Sequence, residues 1–167
     1  PHLFAGIFTK EPELFYNIPE KFKDKELCET AVRYDGSYLK MVPSALKTPE
    51  LCMEAIRRSP YAIEFIPETM KSPEFYTDLV RKNPLNLRGI PEDDRTYEMC
   101  KEAFDNTYGK DKTDYSIAGA LTEPSIALQM VREQDNPKTI DFLMTVMRPK
   151  AISEEVALEA ARKNGHI

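Results

Sequence analysis

Four prolines, Pro19, Pro43, Pro67 and Pro91, stand 24 residues apart, and nothing else in the chain restricts its folding as much. A proline has no N–H, and it pushes the preceding residue out of the helical region. A stop signal at a fixed interval therefore means one length of structure, repeated. In that register, residues 26–49, 50–73 and 74–97 read ELCETAVRYDGSYLKMVPSALKTP, ELCMEAIRRSPYAIEFIPETMKSP and EFYTDLVRKNPLNLRGIPEDDRTY. Three columns are identical: Glu26/Glu50/Glu74, Arg33/Arg57/Arg81 and Pro43/Pro67/Pro91. Others keep their physical type, as in Leu27/Leu51/Phe75 and Val32/Ile56/Val80. Extending the register outward gives units of about 2–25, 26–49, 50–73, 74–97, 98–124, 125–152 and a partial unit, 153–167, in one array over 1–167.

Each unit reads as two helices. Leu51, Cys52, Ala55 and Ile56 fall on one stripe of a 3.6-residue helix. Thr48 and Ser72 stand as N-caps before Pro49 and Pro73, which suit a first helical position. Glu50 and Glu74 complement the positive end of the helix dipole, and Arg57-Arg58 and Arg81-Lys82 the negative end. A second, shorter segment opens at Asp35-Gly36, Ser59-Pro60 and Asn83-Pro84, and stops at Val42-Pro43, Ile66-Pro67 and Ile90-Pro91. So short a piece fits α or 3-10 geometry, and both stay open. Thirteen prolines in 167 residues, above the ~5% average, argue against helices when only counted. Their phase argues for them. Neither helix of a unit can bury its stripe alone, so stacking is required. The expected fold is all-α, a right-handed α-solenoid of two-helix repeats, each a long α and a short α or 3-10 helix.

The units resemble a tandem helical repeat known as a domain of unknown function, found in bacterial, protist and large-virus proteins. The resemblance rests on Pro49-Glu50-Leu51-Cys52-Met53-Glu54-Ala55-Ile56-Arg57, on Ala62-Ile63-Glu64-Phe65-Ile66-Pro67-Glu68, and on Ala157-Leu158-Glu159-Ala160-Ala161-Arg162-Lys163-Asn164-Gly165. It covers 26–105 well, 125–167 in part and 106–124 poorly. It implies a role in intracellular bacterial proteins, secreted effectors among them, and no activity. Leucine-rich variant repeats are similar in period and architecture alone.

Cys28, Cys52 and Cys100 share one column, which Tyr76 also occupies. That column reads as core, so the thiols are expected buried and reduced, with no disulfides, as in a reducing compartment. His2 and His166 lie at the two ends, so no zinc site or Cys–His pair is expected, and no metal or other cofactor. Arg33, Arg57 and Arg81, backed by Arg58 and Lys82 and continued by Arg132 and Arg162-Lys163, form the most prominent polar column. Two readings stand: a stripe for acidic peptides or phosphate groups, or capping of helix C-termini with pairing to Glu across units. Tyr34, Tyr38 and Tyr61 add candidate contact aromatics beside the arginines. Tyr38 and Tyr61 stand early in the short segments, where part of the ring can face out. Glu92-Asp93-Asp94 and the insertion at 110–114 mark 92–115 as an irregular zone, read as a solvated loop or a functional edge.

The charge, 23 Lys+Arg against 28 Asp+Glu for a net of −5, argues against a nucleic-acid partner. No run of ~18 apolar residues exists, and no charged-then-apolar leader, so no membrane insertion is expected. The expected function is a non-catalytic helical-repeat scaffold presenting a surface for protein–protein interaction in the cytoplasm, with a protein partner. The alternative is a substrate-recruiting or regulatory repeat segment of a larger enzyme, such as a secreted bacterial effector acting in the host cytosol. An enzymatic pocket built on 92–147 is a third reading. An array cut at these ends would leave the apolar columns Leu3, Phe4, Val156 and Ala160 uncovered, so the expectation is a fragment of a longer polypeptide or ends capped by something further.

Overall fold

The computed structural model describes residues 14–108, 117 and 120–165. Among the described residues all regular structure is helical. The chain forms two compact units, Pro1–Ser72 and Pro73–Ile167. The first holds α1 (Leu14–Asn17), α2 (Lys25–Tyr34) and α3 (Pro49–Arg58), with the 3-10 helices η1 (Glu20–Phe22), η2 (Gly36–Met41), η3 (Ser44–Leu46), η4 (Pro60–Phe65) and η5 (Glu68–Met70). The second holds α4 (Pro73–Lys82), η6 (Pro84–Gly89), η7 (Glu92–Asp94), α5 (Tyr97–Thr107), α6 (Pro124–Glu133), α7 (Pro137–Val146), η8 (Pro149–Ala151) and α8 (Glu154–Lys163).

The sequence of elements is richer than two helices per unit. A 10-residue α-helix, a 6-residue 3-10 helix and a 3-residue 3-10 turn follow one another from Lys25, from Pro49 and from Pro73. The short second helix, left open between α and 3-10, is 3-10 in all three. Six residues between a cap and a proline leave room for few i→i+4 rings, and i→i+3 turns serve that length better. Length decides it: the 10-residue second helix α7 is α-helical. The prolines also do more than stop a helix. Pro43, Pro67 and Pro91 take ψ of 138°, 141° and 143° and each opens the next 3-10 turn, so the third element begins where only an ending was read.

Local chemistry starts the helices largely as read. Thr48 accepts the Leu51 amide at 3.3 Å, and Asp24, Thr96 and Ser153 accept likewise from Leu27, Met99 and Val156. Asp35 and Asn83 accept from the amides of Ser37 and Leu85. Ser59, expected to do the same, makes no side-chain cap, because a serine hydroxyl forms this turn more weakly than an Asx oxygen.

The first core packs Leu27, Cys28, Ala31 and Val32 of α2 with Leu51, Cys52, Ala55 and Ile56 of α3, closed by Leu39 and Ile63 of the short helices. Its tightest approach is at Gly36, where an added Cβ would lie 2.1 Å from the Ala55 carbonyl oxygen. The second core draws on Val80, Met99, Phe104, Val131, Ile140 and Leu143, with Tyr108 stacked on Phe142 at 3.9 Å between centroids. Val156 and Ala160, which a cut array would leave uncovered, are 0% and 5% exposed. The reason is that α8 packs against both α6 and α7. Leu3 and Phe4 lie outside the described residues.

Candidate functional site

In the first unit the C-terminal ends of α2 and α3 carry Arg33, Tyr34, Arg57 and Arg58, with Tyr61 following at the start of η4. The chain leaving α2 passes close against the last turn of α3 at Gly36, where an added Cβ would run into the Ala55 carbonyl and the Ser59 nitrogen. Tyr34 is 49% exposed and Tyr61 60%. Tyr38 is not part of this surface. It is buried, with its ring edge-on to Phe15 at 5.4 Å and tilted against Tyr16 at 5.7 Å. Three residues per turn put Ser37 with Lys40, and Tyr61 with Glu64, on the outward side. The place of Tyr38 is taken by Ala62 and Asn86 in the later repeats, both buried as well.

The arginines are engaged inside their own helices. Arg57 donates twice to Glu54, from Nη2 at 2.6 Å and from Nε at 2.9 Å, and Arg58 Nε donates to the same carboxylate at 3.2 Å. The Arg57 hydrogen bond, before any other cause, holds the Glu54 carboxyl down at about 2. Two guanidiniums over one carboxylate leave a surplus positive charge at the end of α3. Arg33 lies 3.5 Å from Glu29, which also faces Lys25 at 3.8 Å. Pairing across repeats was expected here, but residues three and four apart on a helix are nearer partners. Between α2 and α3 runs a groove of about 300 Å³ lined by Lys25, Glu29, Arg33, Glu50, Leu51 and Glu54. Glu50 is held below its ordinary value by its own backbone amide and then by the Thr48 hydroxyl.

In the second unit Arg81 reaches Asp78 at 3.4 Å and Glu102 of α5 at 4.0 Å, and Arg132 reaches Glu155 of α8 at 3.0 Å. Pairing between helices, as expected, is found there. Lys82 is exposed at the end of α4. Lys163, continuing the column, instead donates to the Gln134 carbonyl at 2.7 Å and to that of Arg132. Glu92, in the acidic run read as a solvated loop, sits in η7 and bonds Lys150 of η8, while Asp93 and Asp94 of that turn are exposed. His2, His166 and the insertion at 110–114 lie outside the described residues.

A further basic column escaped the sequence reading, although it keeps the same 24-residue period: Lys23, Lys47, Lys71 and Arg95. Lys23 Nζ donates to the Met41 carbonyl at 3.2 Å and lies 4.5 Å from the centre of the Phe15 ring. Lys47 Nζ donates to the Phe65 carbonyl at 2.8 Å. Arg95 donates to the carbonyls of Ile90 at 2.9 Å and Ala120 at 2.7 Å. Lys71 stays at home, on Glu68 at 2.6 Å and the Glu64 carbonyl at 3.4 Å. Each of these residues follows directly on a 3-residue 3-10 turn.

All three cysteines are free and buried. Burial raises Cys28 to about 11 and Cys100 to about 12, and Cys52 upward as well. Among the described residues no helix is long and apolar enough to cross a membrane, and no group of three His, Cys, Asp or Glu is placed to hold a metal ion.

A protein-family model described as a domain of unknown function (DUF4116) matches residues 24–71. That stretch runs from Asp24, the cap of α2, to Lys71, and so spans two successive α, 3-10, 3-10 sets of the first unit. No curated protein and no solved structure matches the chain.

Proposed function

We propose that this chain is a non-catalytic helical-repeat scaffold, its repeats stacked as a right-handed α-solenoid, and that it presents the α2/α3 edge to a protein partner. The observation that carries the reading is the pairing of exposed Tyr34 and Tyr61 with Arg33, Arg57 and Arg58 on the ends of two packed helices. Tyrosine and arginine are the residue types that most often dominate protein interfaces. Rigid helices hold them at low entropic cost. The surplus charge at Arg57 and Arg58 favours a partner surface carrying carboxylates. A reducing compartment such as the cytoplasm suits three free thiols.

The test is affinity capture from a cytosolic extract with the wild-type chain and a triple variant, Arg57→Glu, Arg58→Glu and Tyr61→Ala. A partner lost by the variant, with both proteins melting alike, supports the proposal. Identical capture by both proteins overturns the assignment of this edge.

A further inference from the structure

The carbonyls at the end of each short 3-10 helix face a shortage of donors. Val42, Ile66 and Ile90 close i→i+3 bonds to Leu39, Ile63 and Leu87. Pro43, Pro67 or Pro91 follows and ends the 3-10 run, so the carbonyls of its last residues, Met41 and Phe65 among them, have no further i→i+3 amide within that helix. The terminal carbonyls of a helix must then find partners outside it. For Met41 and Phe65 the partner is a lysine 18 residues upstream, on the linker that enters the α-helix of the same repeat. Lys23 and Lys47 leave the preceding 3-residue turns, η1 and η3, and each reaches over the intervening α-helix to close the following short helix. In the second unit Arg95 uses the same position twice, tying its own Ile90 carbonyl to that of Ala120, 25 residues on.

We propose that this column is a row of clasps, in which a basic side chain leaving one repeat holds shut the short 3-10 helix of the next. Each clasp makes adjoining repeats open together, so that coupling along the first unit is carried by Lys23 and Lys47 in addition to apolar contact. Lys71, whose bonds among the described residues stay within its own repeat, is the exception. A hydrogen bond from a charged donor to a part-buried carbonyl is large enough to hold such a segment against local opening. The inference stands independently of any partner at the α2/α3 edge.

The experiment is native-state amide hydrogen exchange on the full chain with Lys47→Met, Lys47→Arg, Lys23→Met and Lys71→Met. For Lys47→Met, the Ala62 and Ile66 amides, bonded to Ser59 and Ile63, are expected to exchange about tenfold faster. The Tyr38 and Val42 amides should hold their wild-type rates. Lys23→Met should give the mirror image, Lys47→Arg should leave both pairs protected, and Lys71→Met, which removes a bond to the Glu64 carbonyl within η4, should leave the Tyr38 and Val42 amides protected. Equal acceleration at every amide would show a general loss of stability without coupling, and no acceleration would show an idle contact. Either result overturns the proposal. Lys47 is only partly buried whereas Lys23 is 8% exposed, so Lys47→Met decides the matter if Lys23→Met fails to fold.

Discussion

Replacing Gly36 with alanine sets two rules of protein chemistry against each other. Gly36 begins η2 with a φ outside the left-handed region. Backbone freedom alone therefore predicts that Gly36→Ala stabilises the chain by about 0.4–1 kcal/mol, by restricting the unfolded state. Packing predicts the reverse. The new Cβ would meet the Ala55 carbonyl oxygen at 2.1 Å, its carbon at 2.9 Å and the Ser59 nitrogen at 3.0 Å, where ordinary contact begins at 3.4 Å. All three obstacles are backbone, and the Ala55 oxygen also accepts the Ser59 amide at 2.8 Å, so no rotamer change relieves the clash. Overpacking costs about 1–3 kcal/mol when side chains can yield, and a backbone obstacle places this site at the upper end. The net expectation is a loss of about 2 kcal/mol. With a urea slope of about 1–3 kcal/mol/M, the unfolding midpoint followed by far-ultraviolet circular dichroism falls by roughly 1 M. A variant as stable as wild type, or more so, would refute the close approach of η2 to the end of α3.

Ile63→Ala removes a fully buried side chain and should cost about 3 kcal/mol in urea unfolding. Tyr61→Ala, its neighbour but 60% exposed, should stay within about 0.5 kcal/mol. Arg95→Met leaves two carbonyls without their donor and should lower stability by about 2–3 kcal/mol. The Glu54 carboxyl is depressed from 4.5 to about 2, so its contribution is present above the unfolded value and lost as pH falls toward 2. The pair is largely solvent-facing, which limits the effect to about 1 kcal/mol. Comparing urea midpoints at neutral and strongly acidic pH, Glu54→Gln should show a smaller acid-induced drop than wild type; an equal drop would remove Glu54 from the account.

The prolines made the helical class legible because a proline acts on its own residue and its immediate neighbours. The caps at Thr48, Asp35 and Asn83 were legible for the same reason. The core stripe through Cys28, Cys52 and Cys100 could be read because helical periodicity and burial share one cause. What failed was anything set by turn type or by side-chain reach. The 3-10 twist of η2 turns Tyr38 inward, a facing that differs from the one an α-helix over the same six residues would give. The intrahelical grip of Glu54 on Arg57 and Arg58 depended on choosing between near and far partners at equal charge. The column Lys23, Lys47, Lys71 and Arg95 was in plain view of the period, but lysine in a linker reads as solvent-facing until the carbonyl it serves is seen.

The raised, buried thiols have a practical consequence. At neutral pH a thiol near 11 is almost entirely protonated and a poor nucleophile, and all three cysteines are shielded in the same way. A single cysteine introduced on the surface, as in Tyr61→Cys, would then be the one that maleimide dyes modify in the native protein. Fluorescent or spin labels can thus be attached to the α2/α3 edge without first stripping the protein of its own cysteines.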